Sequence, residues 1–415
     1  MSEVDVTSAG QRLLRQHTVA QWAILCVNLL VVIGCIAGAV GLLYGKRQLD
    51  GTLAGQALSV STTVYRPVST DSVLGGSSTV PVTFPEADPN AVNFLITGSD
   101  ANACVDPDSP WAGAADPSRD AIGSRSDTIM VMRVDPTTSQ AAVLSFPRDL
   151  WVDIPGRAKN RINTAAVPGD STVLAQTIYD NFGITIDHYL QVDFCAFKLI
   201  VDAVGGVTVP FQFRIVDRNV GLDVKPGCHT FSGDEALAYA RSRHLKWIDE
   251  NGESHEDRGA DLARISRQQD FLRRTLMAAL EKGVFDPAVA RALIESLQKY
   301  IVRDGNLLSI DSVLAFAGVL KNINPSGINT YQVDAANTVV SGQAVLDPIT
   351  TSDNMKAILA IFRGEAPLAG GVSGGSSTTV ADTGTTAPVE ASGTTVVAPE
   401  ENVKGDIVPN EDIVC

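Results

Sequence analysis

Arg125, Asp127, Arg148 and Asp149 are the first residues whose types and spacing suggest chemistry. They lie in RSDTIMVMRVDPTTSQAAVLSFPRD, residues 125–149, where an Arg-Ser-Asp set opens one apolar run (129–134) and a Pro-Arg-Asp set closes a second (141–146). Guanidinium forks beside carboxylates suit a polyanion together with a divalent cation. The same four charges also suit exposed ion pairs at the base of a hairpin, which stabilise little. This stretch alone leaves both readings open.

Other candidates sit at the ends of predicted elements. Asp100 follows the apolar run VNFLIT (92–97), and Arg161 lies in NRIN (160–163). Arg241 and Arg243 would diverge on a helix but point the same way in extended chain past its end. Arg264 and Gln268 are four apart, on one helix face. Several arginines converging on one place fit phosphate or pyrophosphate recognition, and two acids fit Mg²⁺ held by carboxylates and phosphate oxygens. Phosphoryl transfer consists mainly of positioning and charge stabilisation, which such groups supply.

The elements that must position these residues are readable. Asp135-Pro136-Thr137-Thr138 is a turn signal between the two apolar runs, so the spacing predicts an antiparallel pair whose outer ends meet at one edge. Strands are predicted over 92–97, 188–192, 207–209 and 328–333, and helices over 171–181, 194–204, 261–280 and 354–363. Ser232-Gly233-Asp234-Glu235 is a capping-box pattern opening a helix that runs into Tyr239-Ala240-Arg241-Ser242-Arg243-His244. Residues 221–228 read as loop, and the acid-rich stretch 245–260 as a mobile loop. Alternating strands and helices over 91–363 predict an α/β class around one mixed sheet.

Composition narrows the function. The chain has 32 Lys and Arg against 47 Asp and Glu, a net charge of −15, which disfavours nucleic acid as a partner. Residues 19–44 carry no charge and are long enough to cross a bilayer as an uncleaved signal-anchor. The expected order is a cytoplasmic arm (1–18), the span (19–44), an extracytoplasmic stalk (45–90), a folded domain (91–363) and a disordered acidic tail (364–415). Cys26 and Cys35 fall in the span. Cys104, Cys195, Cys228 and Cys415 form no CxxC pair, so two disulfides in an oxidising compartment fit better than a zinc site. Three pairings are possible; the expectation is Cys195–Cys228, with Cys104–Cys415 tying the tail back.

The sequence contains no HExxH, GxSxG, P-loop or GxGxxG signature. It does resemble the LytR-CpsA-Psr family, through GSD (98–100), RSDTIMVMRVDP (125–136), LSFPRD (144–149), NRIN (160–163), HYLQVDFCAFKLIVDAVGGV (188–207), FSGDEALAYARSRH (231–244) and RISRQQ (264–269). The likeness covers about 91–282 and weakens towards 363. It implies a membrane-anchored enzyme of the outer face that moves a glycopolymer from a polyprenyl-pyrophosphate carrier onto peptidoglycan. It also implies an α/β/α sandwich around a mixed sheet, with an apolar tunnel for the prenyl chain.

Carried over by residue, the resemblance puts Mg²⁺ (or Mn²⁺) on Asp100 and Asp127. Pyrophosphate oxygens fall to Arg125, Arg148, Arg241 and Arg243, with Gln268 beside them and Arg161 and Arg264 as further contacts. Asp127 and Arg148 would serve the chemistry directly, and Asp149 either takes a proton from the acceptor hydroxyl or orients Arg148. The segments 101–123 and 245–260 are longer than the family pattern. Two rival readings are a non-catalytic protein that binds the lipid-linked polymer and a pyrophosphate hydrolase using water.

Overall fold

The structure, a computed structural model, describes residues 90–99, 126–135, 137–167, 170–257, 259–282, 299–304 and 328–368, with shorter pieces within 104–114, 286–296 and 399–415. In chain order the elements are β1 (Val92–Ser99), β2 (Ser126–Asp135), β3 (Gln140–Ser145), β4 (Trp151–Val152), β5 (Asn160–Arg161), α1 (Thr172–Phe182), β6 (His188–Asp193) and α2 (Phe194–Val204). There follow β7 (Val207–Phe211), β8 (Arg214–Asp217), β9 (Leu222–Val224), β10 (Gly227–Phe231), α3 (Gly233–Arg241), β11 (Lys246–Ile248), β12 (Ser254–Glu256) and α4 (Ala260–Lys282). The last are β13 (Ile301–Arg303), β14 (Asn329–Gln332), β15 (Ala335–Val340), β16 (Gln343–Pro348) and α5 (Asp353–Arg363).

A six-stranded sheet in the order β13-β6-β1-β2-β3-β14 forms the centre. β1 runs parallel to β6 and antiparallel to β2, and β3 runs parallel to β14, so the sheet is mixed. Its strands are apolar on both faces, as a sheet covered on both sides requires. On one face Leu95, Val131 and Leu144 pack with Ile178 of α1 and Phe362 of α5. On the other, Phe94, Met130 and Met132 meet Leu276 of α4. A separate core joins β7–β10 with α2 and α3 through Val209, Phe231 and Leu237. The expected α/β class with one mixed sheet is what is found.

Four expectations are corrected. The acid-rich stretch 245–260 contains a hairpin, β11 with β12. Trp247 and His255 stack at 4.2 Å across it, and the Asp249 carboxylate accepts the Asn251 and Glu253 N–H groups in its turn. Residues 221–228 hold β9 and the start of β10, because Leu222 and Val224 are buried. The disulfides are Cys104–Cys195 and Cys228–Cys415, which excludes the expected pairing. The tail is docked where it is described: the Glu401 carboxylate accepts the Thr330 N–H, and Asn402 bonds both the N–H and the carbonyl of Gln332.

The β15–β16 hairpin was not foreseen, although Ser341-Gly342, with φ of 50° and 79°, is its two-residue turn. Residues 1–89, with the expected arm, span and nearly all of the stalk, lie outside the described residues. So do Asp100, Arg125 and the side chain of Asp127. Among the described residues no helix is long and apolar enough to cross a membrane.

Candidate functional site

β1 and β6 end together at Ser99 and Asp193, and β2 begins beside them, with Ser126 opposite Ser99. The carboxyl ends of parallel strands are the usual ligand position in open α/β sheets. The ladder skips here: Gly98 faces Thr128 and Ser99 faces Ser126, so Asp127 is the extra residue of a β-bulge. The Ser126 hydroxyl lies 2.9 Å from the Gly98 carbonyl and 2.6 Å from that of Thr128, which holds the bulge. A Cβ on Gly98 would come within 3.1 Å of Thr128 Cβ, so the glycine lets the strands close.

A cavity of about 260 Å³ opens beside this edge. Ile96, Met130, Phe197, Leu237, Phe271 and Leu272 give it apolar walls, while Arg241, Arg264, Gln268 and Asp193 give it a polar part. Arg241 is the last residue of α3; its guanidinium stands 4.4 Å over the Phe194 ring and donates to the Ala114 carbonyl. Gln268 donates to the Ala240 carbonyl at 2.8 Å and accepts the Thr128 hydroxyl at 3.2 Å, bridging α3 and β2.

Arg148, Arg243 and Arg264 gather on a residue that was not singled out in the sequence. Asp261, in the first turn of α4, lies 2.9 Å from Arg264 Nη2, 3.5 Å from Arg148 Nε and 3.7 Å from Arg243 Nε. A carboxylate in a first helical turn is favoured by the helix dipole, and the same field favours a bound anion. The only sequence signal for Asp261 was its i,i+3 spacing to Arg264 on a predicted helix. Arg264 is 2% exposed, so its guanidinium is a buried charge beside Asp261.

Asp149 stands beside this group. Its Oδ2 is 3.4 Å from Arg148 Nε and its Oδ1 is 3.3 Å from Arg161 Nε. Arg161 also donates to the Ala344 carbonyl of β16 at 2.9 Å, so it joins the cluster through Asp149. Arg148, Arg243 and Arg264 therefore share one acid, Arg241 and Gln268 share the cavity, and Arg264 belongs to both. Such an arrangement can take an amphiphile, with oxyanions on guanidinium forks and hydrocarbon on apolar walls.

Asp100 follows Ser99 in the chain and Asp127 follows Ser126, and these two serines face one another. A hard cation takes carboxylate oxygens, and Asp100 and the side chain of Asp127 lie outside the described residues. Elsewhere among the described residues Asp249, Glu253 and His255 lie close enough to share an ion, but this is the β11–β12 turn, where Asp249 is already bonded to His255 at 3.1 Å.

The sequence model of the LytR_cpsA_psr family matches residues 62–360. The chain belongs to this family. Among relatives, the probable cell wall biosynthesis protein LcpB of Corynebacterium glutamicum is 31% identical over 249 residues, 58% of this chain and 54% of that protein. The regulatory protein MsrR of Staphylococcus aureus is 34% identical over 150 residues, 36% of this chain and 42% of that protein. The chain thus spans about half the length of these relatives or less. TagU of Oceanobacillus iheyensis, named a polyisoprenyl-teichoic acid–peptidoglycan teichoic acid transferase, is 27% identical over 76% of this chain and 85% of its own. The solved LytR-Csp2A-Psr enzyme from Actinomyces oris shares the fold, with a TM-score of 0.50 at 22% identity over 68% of this chain and 94% of that one.

Proposed function

We propose that this LytR_cpsA_psr family member is a membrane-anchored phosphotransferase that moves a glycopolymer from a polyprenyl-pyrophosphate carrier onto peptidoglycan. The observation that carries this reading is an apolar cavity that ends at Arg241, Arg264 and Gln268. Hydrocarbon and a doubly charged phosphate head are the two halves of such a donor. The name of TagU supports a polyisoprenyl-linked polymer as donor and peptidoglycan as acceptor. The uncharged stretch 19–44 supports anchoring, with residues 91–363 as the catalytic domain and 91–282 as its core.

In this reading the apolar walls take prenyl units. Arg125, Arg148, Arg241, Arg243 and Arg264 hold the pyrophosphate oxygens, with Arg161 at the margin and Gln268 fixed between Thr128 and Ala240. Phosphate oxygens take the place that the Asp261 carboxylate holds among three arginines. An acceptor hydroxyl attacks the polymer-side phosphorus, the bond to the bridging oxygen breaks, and polyprenyl phosphate leaves. The hydroxyl proton passes to a carboxylate, for which Asp149 is the candidate; its contacts with Arg148 and Arg161 also let it orient both. Mg²⁺ (or Mn²⁺) on Asp100 and Asp127 would neutralise pyrophosphate charge. Once phosphate has displaced the Asp261 carboxylate, the guanidinium groups face the developing charge and need no further reorganisation during reaction.

The test uses the purified chain with a polyprenyl-pyrophosphate oligosaccharide, Mg²⁺ and peptidoglycan, and follows release of polyprenyl phosphate. Asp127→Asn and Arg148→Ala should each lower turnover by about 100-fold. Undiminished turnover in both variants removes the assignment. Polyprenyl phosphate released without polymer appearing on peptidoglycan indicates hydrolysis instead.

A further inference from the structure

We propose that Ser242, Asp217, Arg267 and Asp257 form a buried positioning device that sends Arg241 and Arg243 to different parts of one site. The inference rests on the reading of those arginines as pyrophosphate ligands. Helix α3 stops at Arg241 with neither glycine nor proline at its end. Ser242 keeps its N–H on the Ala238 carbonyl at 2.9 Å, then turns extended, with φ −57° and ψ 127°. Two contacts account for the stop. The Ser242 hydroxyl donates to Asp217 Oδ2 at 2.6 Å, and its carbonyl accepts Arg267 Nη2 at 2.6 Å in place of the next helical N–H.

Both partners are themselves fixed. Arg267 Nη1 donates to Asp257 Oδ2 at 2.7 Å, and the Asp257 N–H returns to the Leu245 carbonyl at 3.0 Å. Asp217 also accepts the His244 N–H at 3.3 Å and the Asn219 N–H at 3.0 Å. The chain from 242 to 245 is thus held at a hydroxyl, an N–H and two carbonyls. Ser242 is 0% exposed, Arg267 2%, Asp217 3% and Asp257 4%.

Burying two carboxylates and a guanidinium to end a helix is costly, and a glycine C-cap ends helices without buried charge. What the charged set adds is direction. The last helical residue puts Arg241 over Phe194 in the cavity wall, and two residues on, past the extended Ser242, Arg243 reaches Asp261. Arg267 is one turn beyond Arg264 on α4, so the helix that carries one arginine of the site also fixes the backbone carrying two more.

The test is titration of the full chain in detergent with inorganic pyrophosphate by calorimetry, alongside thermal melting and kcat/KM for the lipid-linked donor. Ser242→Ala should bind pyrophosphate about tenfold more weakly, the size expected for a lost hydrogen bond to a charged group. Ser242→Thr, which keeps the hydroxyl, should restore most of the binding, which a role in folding alone does not predict once both variants melt like the wild type. Asp217→Asn is the second variant, read in the same way should Ser242→Ala not fold. Wild-type affinity in a folded Ser242→Ala or Asp217→Asn overturns the positioning role. A wild type that binds no pyrophosphate overturns the functional reading beneath it.

Discussion

Gln269 Nε2 donates to the Ser145 hydroxyl at 2.8 Å and to the Tyr331 carbonyl at 2.7 Å. The bond ties the first turns of α4 to the end of β3, three residues before Arg148. Gln268 and Gln269 thus divide two tasks between neighbouring side chains, one lining the cavity and one anchoring its wall. Gln269→Leu should leave the Ser145 and Tyr331 acceptors buried without this donor and cost about 1–3 kcal/mol. Urea unfolding measures the loss, and a midpoint unchanged from wild type would contradict the anchoring role.

Arg264→Lys keeps the charge but loses the planar fork at a buried position. We expect kcat/KM for the lipid-linked donor to fall by about 10- to 100-fold. Arg161→Lys, on a partly exposed pair with Asp149, should change it by less than about threefold. Equal effects in the two variants would mean that Arg264 has no special place in the site.

Leu272 lines the cavity yet is 40% exposed, so it stands where the cavity meets solvent. Leu272→Glu places a charge there with little burden on folding. The KM for a long-chain prenyl donor should rise about tenfold, the size of one lost apolar contact. A water-soluble short-chain analogue should be unaffected, and equal losses for both donors would refute the lipid assignment.

Tyr189, Tyr239 and Tyr331 have phenols pushed above their ordinary value near 10.0, in each case mainly by burial. In the unfolded chain they ionise at the ordinary value, while the folded state keeps them protonated. Their contribution to stability is therefore full below about pH 10 and falls away as pH rises towards the higher folded values. In a spectrophotometric titration these three tyrosines should ionise together with alkaline unfolding. Ionisation of all seven tyrosines near pH 10 in folded protein would contradict it.

Non-reducing peptide mapping should recover Cys104–Cys195 and Cys228–Cys415. The second bridge closes a span of 187 residues, so its reduction should lower stability by several kcal/mol in the loop-entropy view. Recovery of Cys195–Cys228 would exclude the arrangement found.

The hairpin of β2 and β3 was legible because two short continuous apolar runs and an Asp-Pro turn are local signals, and its bracketing charges gave Arg148 and Asp149 directly. The pairing of Arg241 with the cavity and Arg243 with Asp261 was less so: extended chain after a helix suggested a shared direction, whereas only Arg243 lies past the helix end. Asp261 stayed hidden because an acid near basic residues at a helix start has several ordinary roles, and what separates them is contact with Arg148 and Arg243 from distant segments. The disulfides failed for the same reason, since spacing along the chain says nothing of proximity in space. The β11–β12 hairpin depends on Trp247 stacking on His255, a cross-strand contact that an acid-rich composition masks. The β15–β16 turn is a local signal as well, a Ser341-Gly342 pair with both φ values positive.

The docked tail has a consequence for how copies of this protein behave towards one another. β14 ends the central sheet, and its outward N–H groups at Thr330 and Gln332 are taken by Glu401 and Asn402 side chains instead of by another strand. An open strand edge is a template for a second sheet, and a carboxylate and an amide seated there block it without extending the sheet. Glu401 and Asn402 thereby shield one flank of the sheet against edge-to-edge aggregation, a task separate from the phosphate chemistry proposed above.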